Sequence, residues 1–186
     1  MTMNLPIYQY GTGVLRKQAE LVQPGDSGIQ GLVKDMFESM YASDGVGLAA
    51  PQVGVSIRLF VLDASCFSEE DPSLKDMKRV VINPEILEFS ENRILFQEGC
   101  LSLPGIHEEV LRPDSIRTRY LNEHFEPVEE TFSGYAARVF QHEWDHLNGK
   151  LFTDHLSPLK KKLIQGKLKD IQAGKVKTAY KVKLPR

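Results

Sequence analysis

The chain has 186 residues, 41% hydrophobic and 26% charged, proportions that suit a folded globular protein with enough chain to bury a core. With only two cysteines, Cys66 and Cys100, and no repeat or low-complexity tract, it is neither a disulfide scaffold nor a fibrous or disordered chain, and no run approaches the roughly 20 apolar residues that span a bilayer. The formal net charge of −2 is unevenly spread: residues 160–186 hold ten basic residues and one acid, Asp170, so a basic tail follows an acidic body.

Residues 7–10 (IYQY) lead into a Gly11-Thr12-Gly13 turn and a short Leu15-Arg16-Lys17 stretch. Over residues 28–41, Ile29, Leu32, Val33, Met36, Phe37 and Met40 recur at three- and four-residue spacing, which predicts an amphipathic helix capped by Asp26 or Ser27 and ended before Asp44-Gly45. The next segment, GVGLAAPQ at residues 45–52, reads as a glycine turn with Gln52 at the surface; its glycines also permit close backbone approach to a ligand, and Gln52 carries an amide donor.

Strands are predicted at residues 58–62 and 79–83, separated by a charged surface loop, residues 68–78, containing Pro72. Further strands are predicted at residues 86–89, 94–96, 115–121 and 128–132. A helix opens at Ser133-Gly134 and stops at Asn148-Gly149, a pair suited to a helix C-terminus, and a third helix covers about residues 159–171 after Ser157-Pro158. Residues 175–184 alternate basic with apolar side chains, the pattern of an edge strand. Strands with few interspersed helices make the fold class α+β, with small antiparallel and mixed sheets around the second helix, in one domain over residues 1–186 with a basic tail from about 160. No glycine-rich phosphate loop is present, so no nucleotide cofactor is expected. The start of the sequence lacks the basic-then-apolar layout of a secretory signal, which makes cytoplasmic the expected location, reduced the expected state of both thiols, and Cys66 an expected small buried hydrophobe.

Chemistry concentrates at residues 142–146, HEWDH, inside the second helix. Histidines at i and i+4 stand one above the other, so His142 and His146 can converge on one cation, and Glu143 can flank it without ligating it. Tyr135 and Val139 share the histidine stripe and turn it inward. A catalytic site needs a third ligand and an open position; His155, Asp154 and Asp170 downstream lie in no protease-like spacing, which makes a metallopeptidase a weak fit. Upstream, Cys100 in residues 98–104 (EGCLSLP) could reach the helix as a thiolate, which a divalent cation would deprotonate.

These segments in this order, GVGLAAPQ, EGCLS and QHEWDH, resemble the three signature motifs of the peptide deformylase family, and the likeness extends over most of residues 4–160. The resemblance implies a metallohydrolase that removes the formyl group from N-formylmethionyl nascent peptides and releases formate. It implies one divalent metal ion per chain on Cys100, His142 and His146, with Fe²⁺ expected physiologically and Zn²⁺, Ni²⁺ or Co²⁺ able to substitute. Glu143 would serve as general base and then acid toward the attacking hydroxide and the leaving amine, with the Leu101 N–H and the Gln52 amide stabilising the oxyanion. Substrate backbone would pair near Val46, Gly47 and Gly99, and Val46, Val139 and Phe96 would line the methionine pocket. The resemblance also pairs Asp145 with Arg112, leaves His107, His124 and His155 as surface or outer residues, and places His107 where a peptide contact would lie. Gly11-Thr12-Gly13 lacks the proline common in that family's first turn, and the basic tail reads as a strand where several relatives carry a helix. A transient ribosome contact through that tail is the one further partner expected. The rival functions are another HExxH peptidase or amidase, and a noncatalytic RNA- or ribosome-binding module with a closed structural metal site.

Overall fold

A computed structural model describes residues 4–26 and 28–185. In chain order its regular elements are β1 (Ile7–Tyr8), α1 (Ile29–Tyr41), β2 (Gly47–Ala49), β3 (Leu59–Asp63), β4 (Lys78–Phe89), β5 (Arg93–Gly99), β6 (His107–Pro113), β7 (Ser115–Leu121), β8 (Pro127–Ser133), α2 (Gly134–Leu147), α3 (Pro158–Gln172) and β9 (Val182–Lys183). Strands β2-β3-β4-β7-β8 form one antiparallel sheet in that spatial order, β5 and β6 pair as a separate antiparallel ribbon, and β1 pairs with β9 in parallel. The architecture is α+β, as the element pattern predicts.

The periodicity of α1 does what it encodes: Ile29, Val33, Met36 and Met40 are buried against Leu48, Leu59 and Val61 of the sheet. Gly28 takes the N-cap position, the Asp26 carboxylate accepts from the Gly28 N–H at 3.0 Å, and Ser27 lies outside the described residues. On the other face of the sheet α2 packs through Ala136, Ala137, Val139 and Phe140. Phe140 meets the Phe60 ring edge-on at 5.0 Å and Phe132 at 4.9 Å, so an aromatic cluster fixes the distance between helix and sheet. Asn148 and Gly149 end α2 as expected. Gly149 has φ 68°, and a Cβ there would stand 2.7 Å from the Arg16 carbonyl oxygen, which only glycine avoids.

Five expectations change. The strands predicted at residues 79–83 and 86–89 are one strand, β4, with a register shift after Ile82; Asn83 adopts φ 51° there, and its side chain binds the Val22 N–H and C=O at 2.9 Å each. Strands β2 and β6 were not anticipated. β2 is three residues long and carries a glycine, and the inward face of β6 carries Val110 beside Arg112, a charge that breaks the apolar alternation. Cys66 is exposed, not a buried hydrophobe, because its short 3-10 turn, Ser65–Phe67, lies on the surface while Leu74 of the adjoining Pro72–Leu74 turn fills the core beneath. The tail forms a strand only at Val182–Lys183, and Gln52 is buried, held in a 3-10 turn, Ala50–Val53, by an amide oxygen that accepts from the Ala49 N–H at 2.8 Å. No helix among the described residues is long and apolar enough to cross a membrane.

Candidate active site

A cleft of about 510 Å³ opens between β2, the end of β5, α2 and the C-terminal segment. At its floor the ligand atoms of Cys100, His142 and His146 lie within 4.8 Å of one another. The Cys100 Sγ to His146 Nε2 separation is 3.3 Å. Two ligands at about 2.3 Å (sulfur) and 2.0 Å (nitrogen) around one tetrahedral ion stand roughly 3.5 Å apart, so the Cys100–His146 separation is close to that of two ligands sharing a divalent cation.

Glu98, immediately N-terminal to the Gly99-Cys100 pair, organises this floor. Alternation in β5 turns it inward, and its carboxylate accepts from Arg112 at 2.7 and 3.1 Å, from Arg138 at 2.7 Å and from His142 Nδ1 at 2.9 Å. Burial alone would raise the Glu98 carboxyl; the bonds from His142 and Arg112 reverse this and hold it far below the usual carboxylate range. An ionised carboxylate only accepts, so Nδ1 of the His142 ring carries a proton and Nε2 is the ring atom left for the cleft. Arg112 extends the network to Asp145 at 2.7 Å, and Asp145 accepts from His155 Nε2 at 2.7 Å, so the expected Arg112–Asp145 pairing is present and buried. Burial raises the Asp145 carboxyl, and His155 and Arg112 overcome that and lower it. Arg138 also donates to the carbonyls of Val110 and Ile94, tying α2 across both strands of the ribbon.

The two histidines differ in environment. Burial disfavours charge on each ring; at His142 the hydrogen bonds with Cys100 and Glu98 outweigh burial and raise its pKa, whereas at His146 the neighbouring His142 adds to burial and lowers it. His146 Nδ1 has no partner among the described residues.

Beside the triad, Glu143 is buried with Oε2 unpartnered, and burial pushes its carboxyl up to about 7. Gly47 accounts for its placement: a Cβ on Gly47 would come 2.5 Å from Glu143 Oε1, so only glycine lets β2 run this close. The Gln52 amide nitrogen lies 3.5 Å from Cys100 Sγ and 3.3 Å from Ser102 Oγ. Thus Cys100, His142, His146, Glu143, Gln52, Leu101, Val46, Gly47 and Gly99 all gather at one cleft, His146 lying beneath its surface.

Phe96 is a correction. It does not line the cleft but packs behind it, edge-on to Tyr135 at 6.2 Å and against the Arg138 guanidinium at 5.4 Å. Tyr135, Val139, Val46 and Phe67 form the apolar wall instead. His107 lines the cleft, as anticipated, packed over Gly99. Glu98, Arg138, Lys177, Thr178 and Tyr180 also line the cleft, and, apart from the position of Arg138 four residues before His142, no local sequence pattern points to a role for any of them.

Comparison with known proteins gives a consistent result. The family model for polypeptide deformylase matches residues 4–162. The peptide deformylase of Christiangramia forsetii is 44% identical, over 98% of this chain and 97% of that one. The crystal structure of peptide deformylase from Thermotoga maritima superposes with a TM-score of 0.76 at 46% identity, covering 84% of this chain and 99% of that one. The Met-Ala-Ser-bound crystal structure of class I type b peptide deformylase from Acinetobacter baumannii superposes with a TM-score of 0.76 at 36% identity, covering 84% of this chain and 100% of that one.

Removing the arginine that two buried carboxylates share should leave Glu98 with Arg138 and His142 alone and Asp145 with His155 alone. Arg112→Leu is expected to lower unfolding stability by about 3–5 kcal/mol. Urea denaturation checks this, and a loss below about 1 kcal/mol would mean that the network is not holding the ribbon to α2.

Proposed function

The chain belongs to the polypeptide deformylase family, metal-dependent enzymes that remove the formyl group from N-formylmethionyl peptides, and on that premise we propose how its own residues carry out the reaction. The observation that carries the proposal is the meeting of one cysteine sulfur and two imidazoles from distant segments beside a buried carboxyl group with one unpartnered oxygen. Cys100, His142 and His146 hold one divalent ion, Fe²⁺ in the cell, with Zn²⁺, Ni²⁺ or Co²⁺ able to take its place. When bound, the ion supplies a Lewis acid for the formyl carbonyl and makes a neighbouring water more acidic.

The protein's own groups do the remainder. Glu143 accepts a proton from the attacking water, which its raised proton affinity suits, and delivers it to the methionyl nitrogen as the C–N bond breaks. One water is consumed, and formate and a free amino terminus are released. The Leu101 N–H and the Gln52 amide nitrogen stabilise the developing oxyanion. The burial of Gln52 and the hydrogen bond on its oxygen support this role, because they leave its NH₂ group fixed toward Cys100. Glu98 holds the tautomer and orientation of His142.

Two strand edges flank the cleft. β2 is an edge strand of the main sheet and, among the described residues, β5 pairs with β6 alone; the Val46 carbonyl accepts from the Asp63 N–H at 2.9 Å, and the backbone around Gly47 and Gly99 and the Val46 N–H are the groups offered to an extended peptide. Backbone pairing explains how an enzyme of this kind accepts many sequences. The methionine side chain enters the wall formed by Val46 and Val139, joined by Tyr135 and Phe67. The Acinetobacter baumannii relative binds Met-Ala-Ser, a tripeptide of the product class.

The catalytic unit is residues 1–186 as one domain, acting in the cytoplasm. Its basic C-terminal region makes a transient ribosome contact, supported by Lys162, Lys167 and Lys169, which are exposed on α3 beside exposed Leu159 and Leu163.

Glu143→Gln should lower formate release from a formyl-methionyl tripeptide by about 10²–10⁴ while the protein still binds one equivalent of metal. Retained turnover would refute the role of Glu143, and cleavage of unformylated peptides by the parent protein would favour a peptidase. Replacing Lys162, Lys167 and Lys169 with Glu should abolish co-sedimentation with ribosomes at low salt; unchanged co-sedimentation would remove the ribosome contact from the account.

A further inference from the structure

Residues 175–183 lie beyond the stretch matched by the family model, which ends at 162, yet they are folded onto the body of the protein at several points. Val176 packs on the cluster containing Leu103, Ile106 and Phe152. The Tyr180 hydroxyl donates to the Leu101 carbonyl at 2.8 Å, and Thr178 Oγ1 donates to the Tyr180 carbonyl at 2.8 Å. Beyond these, the Ile7 N–H donates to Lys181 and the Gln9 N–H to Lys183, the two bonds that seat β9 on β1. Between the anchors at Val176 and Tyr180, Lys177 and Thr178 face the same cleft as Cys100, His142 and Glu143.

The charges lining that cleft are unequal in their availability. Glu98 and Arg138 are buried and bonded to each other, and Glu143 is buried. Of the lining side chains with a fixed charge, only Asp44 and Lys177 are exposed, and the exposed His107 adds a titratable ring. Lys175 is paired with Asp170 at 3.4 Å, whereas Lys177 has no ion pair or hydrogen bond among the described residues. Nor do Lys177 and Asp44 pair with each other, although both belong to one rim. A cation held on a tethered segment beside a peptide-binding cleft, and not consumed by an internal partner, interacts with whatever charge the peptide brings.

We propose that this C-terminal strap is a wall of the substrate cleft, and that Lys177 makes the enzyme favour formylmethionyl peptides carrying an acidic side chain among the residues that follow methionine. This inference rests on the deformylase reading above and extends it to the sequence preference of the substrate. Lys177 touches the substrate side chain and not the reacting atoms, so it acts on the relative kcat/KM of peptides and on the affinity of their products. Asp44 opposes it on the same rim, and Asp44→Asn should strengthen the preference.

The test compares formyl-methionyl tetrapeptides in which Asp, Asn or Lys is placed in turn at the second, third and fourth positions. With the parent enzyme, at one or more positions, Asp is expected to exceed Asn in kcat/KM by about two- to fivefold, the range of an exposed ion pair. Lys177→Met should bring the Asp-to-Asn ratio to about one, and Lys177→Glu should invert it so that the Lys peptide is preferred. The parent enzyme's preference should also shrink toward one near 1 M salt, where exposed charges are screened within about 3 Å. Competition by the corresponding deformylated tetrapeptides should follow the same order, a binding readout independent of turnover. Asp-to-Asn ratios that are unchanged between parent and Lys177→Glu at every position, or that do not respond to salt, would overturn the proposal. Absence of formate from every peptide would instead overturn the deformylase reading on which it rests.

Discussion

One buried carboxylate, Glu98, is the point on which the site depends. Hairpin, helix and histidine all meet on it: Arg112 from β6, Arg138 from α2 and the His142 ring converge on its two oxygens. An ion this deeply buried is tolerated only when its partners are close and their own remaining donors are satisfied. Arg112 meets that condition through Asp145, and Arg138 through the backbone carbonyls of Val110 and Ile94. The same bonds that stabilise Glu98 therefore set the spacing between the ribbon whose first strand leads into Cys100 and the helix that carries the two histidines. Position of the triad and stability of the fold are one problem with one solution.

What was legible beforehand was whatever chemistry is local in the chain. The histidine pair and Glu143 follow from helical geometry, the α1 face from its 3.6-residue period, and the stop of α2 from Asn148-Gly149. Gln52 in its glycine segment was visible as a donor but was assigned to the surface; its burial depends on a 3-10 turn closed by its own side-chain oxygen, which no periodicity encodes. Nothing local marks Glu98 and Arg138, because an isolated charge on a strand or helix usually faces solvent. Their burial is created by each other, across 40 residues of chain. The missing β6 has the same origin: Arg112 occupies a core-facing position that a hydrophobic pattern would fill with Val or Ile. Cys66 is the opposite case, since a small hydrophobe on a surface turn looks the same in sequence as one in a core.

The tail shows how charge composition and charge placement separate. Ten basic residues near the C-terminus suggest one polyanion-binding surface, but the fold divides them. Those on α3 face outward on a helix whose apolar anchors are Ile164 and Ile171, while the chain after Gly174 turns back over the cleft and is fastened to Leu101 through Tyr180. Leu101 thus joins the Cys100 turn to the C-terminal segment through one hydrogen bond.

The account stands on a mixed sulfur and nitrogen environment for a single ion. X-ray absorption spectroscopy of the anaerobically purified, metal-loaded protein addresses it directly. One sulfur at about 2.3 Å and two imidazole nitrogens at about 2.0–2.1 Å are expected if the ion is zinc, with similar contacts for iron. A shell of nitrogen and oxygen alone, unaltered by Cys100→Ala, would contradict it.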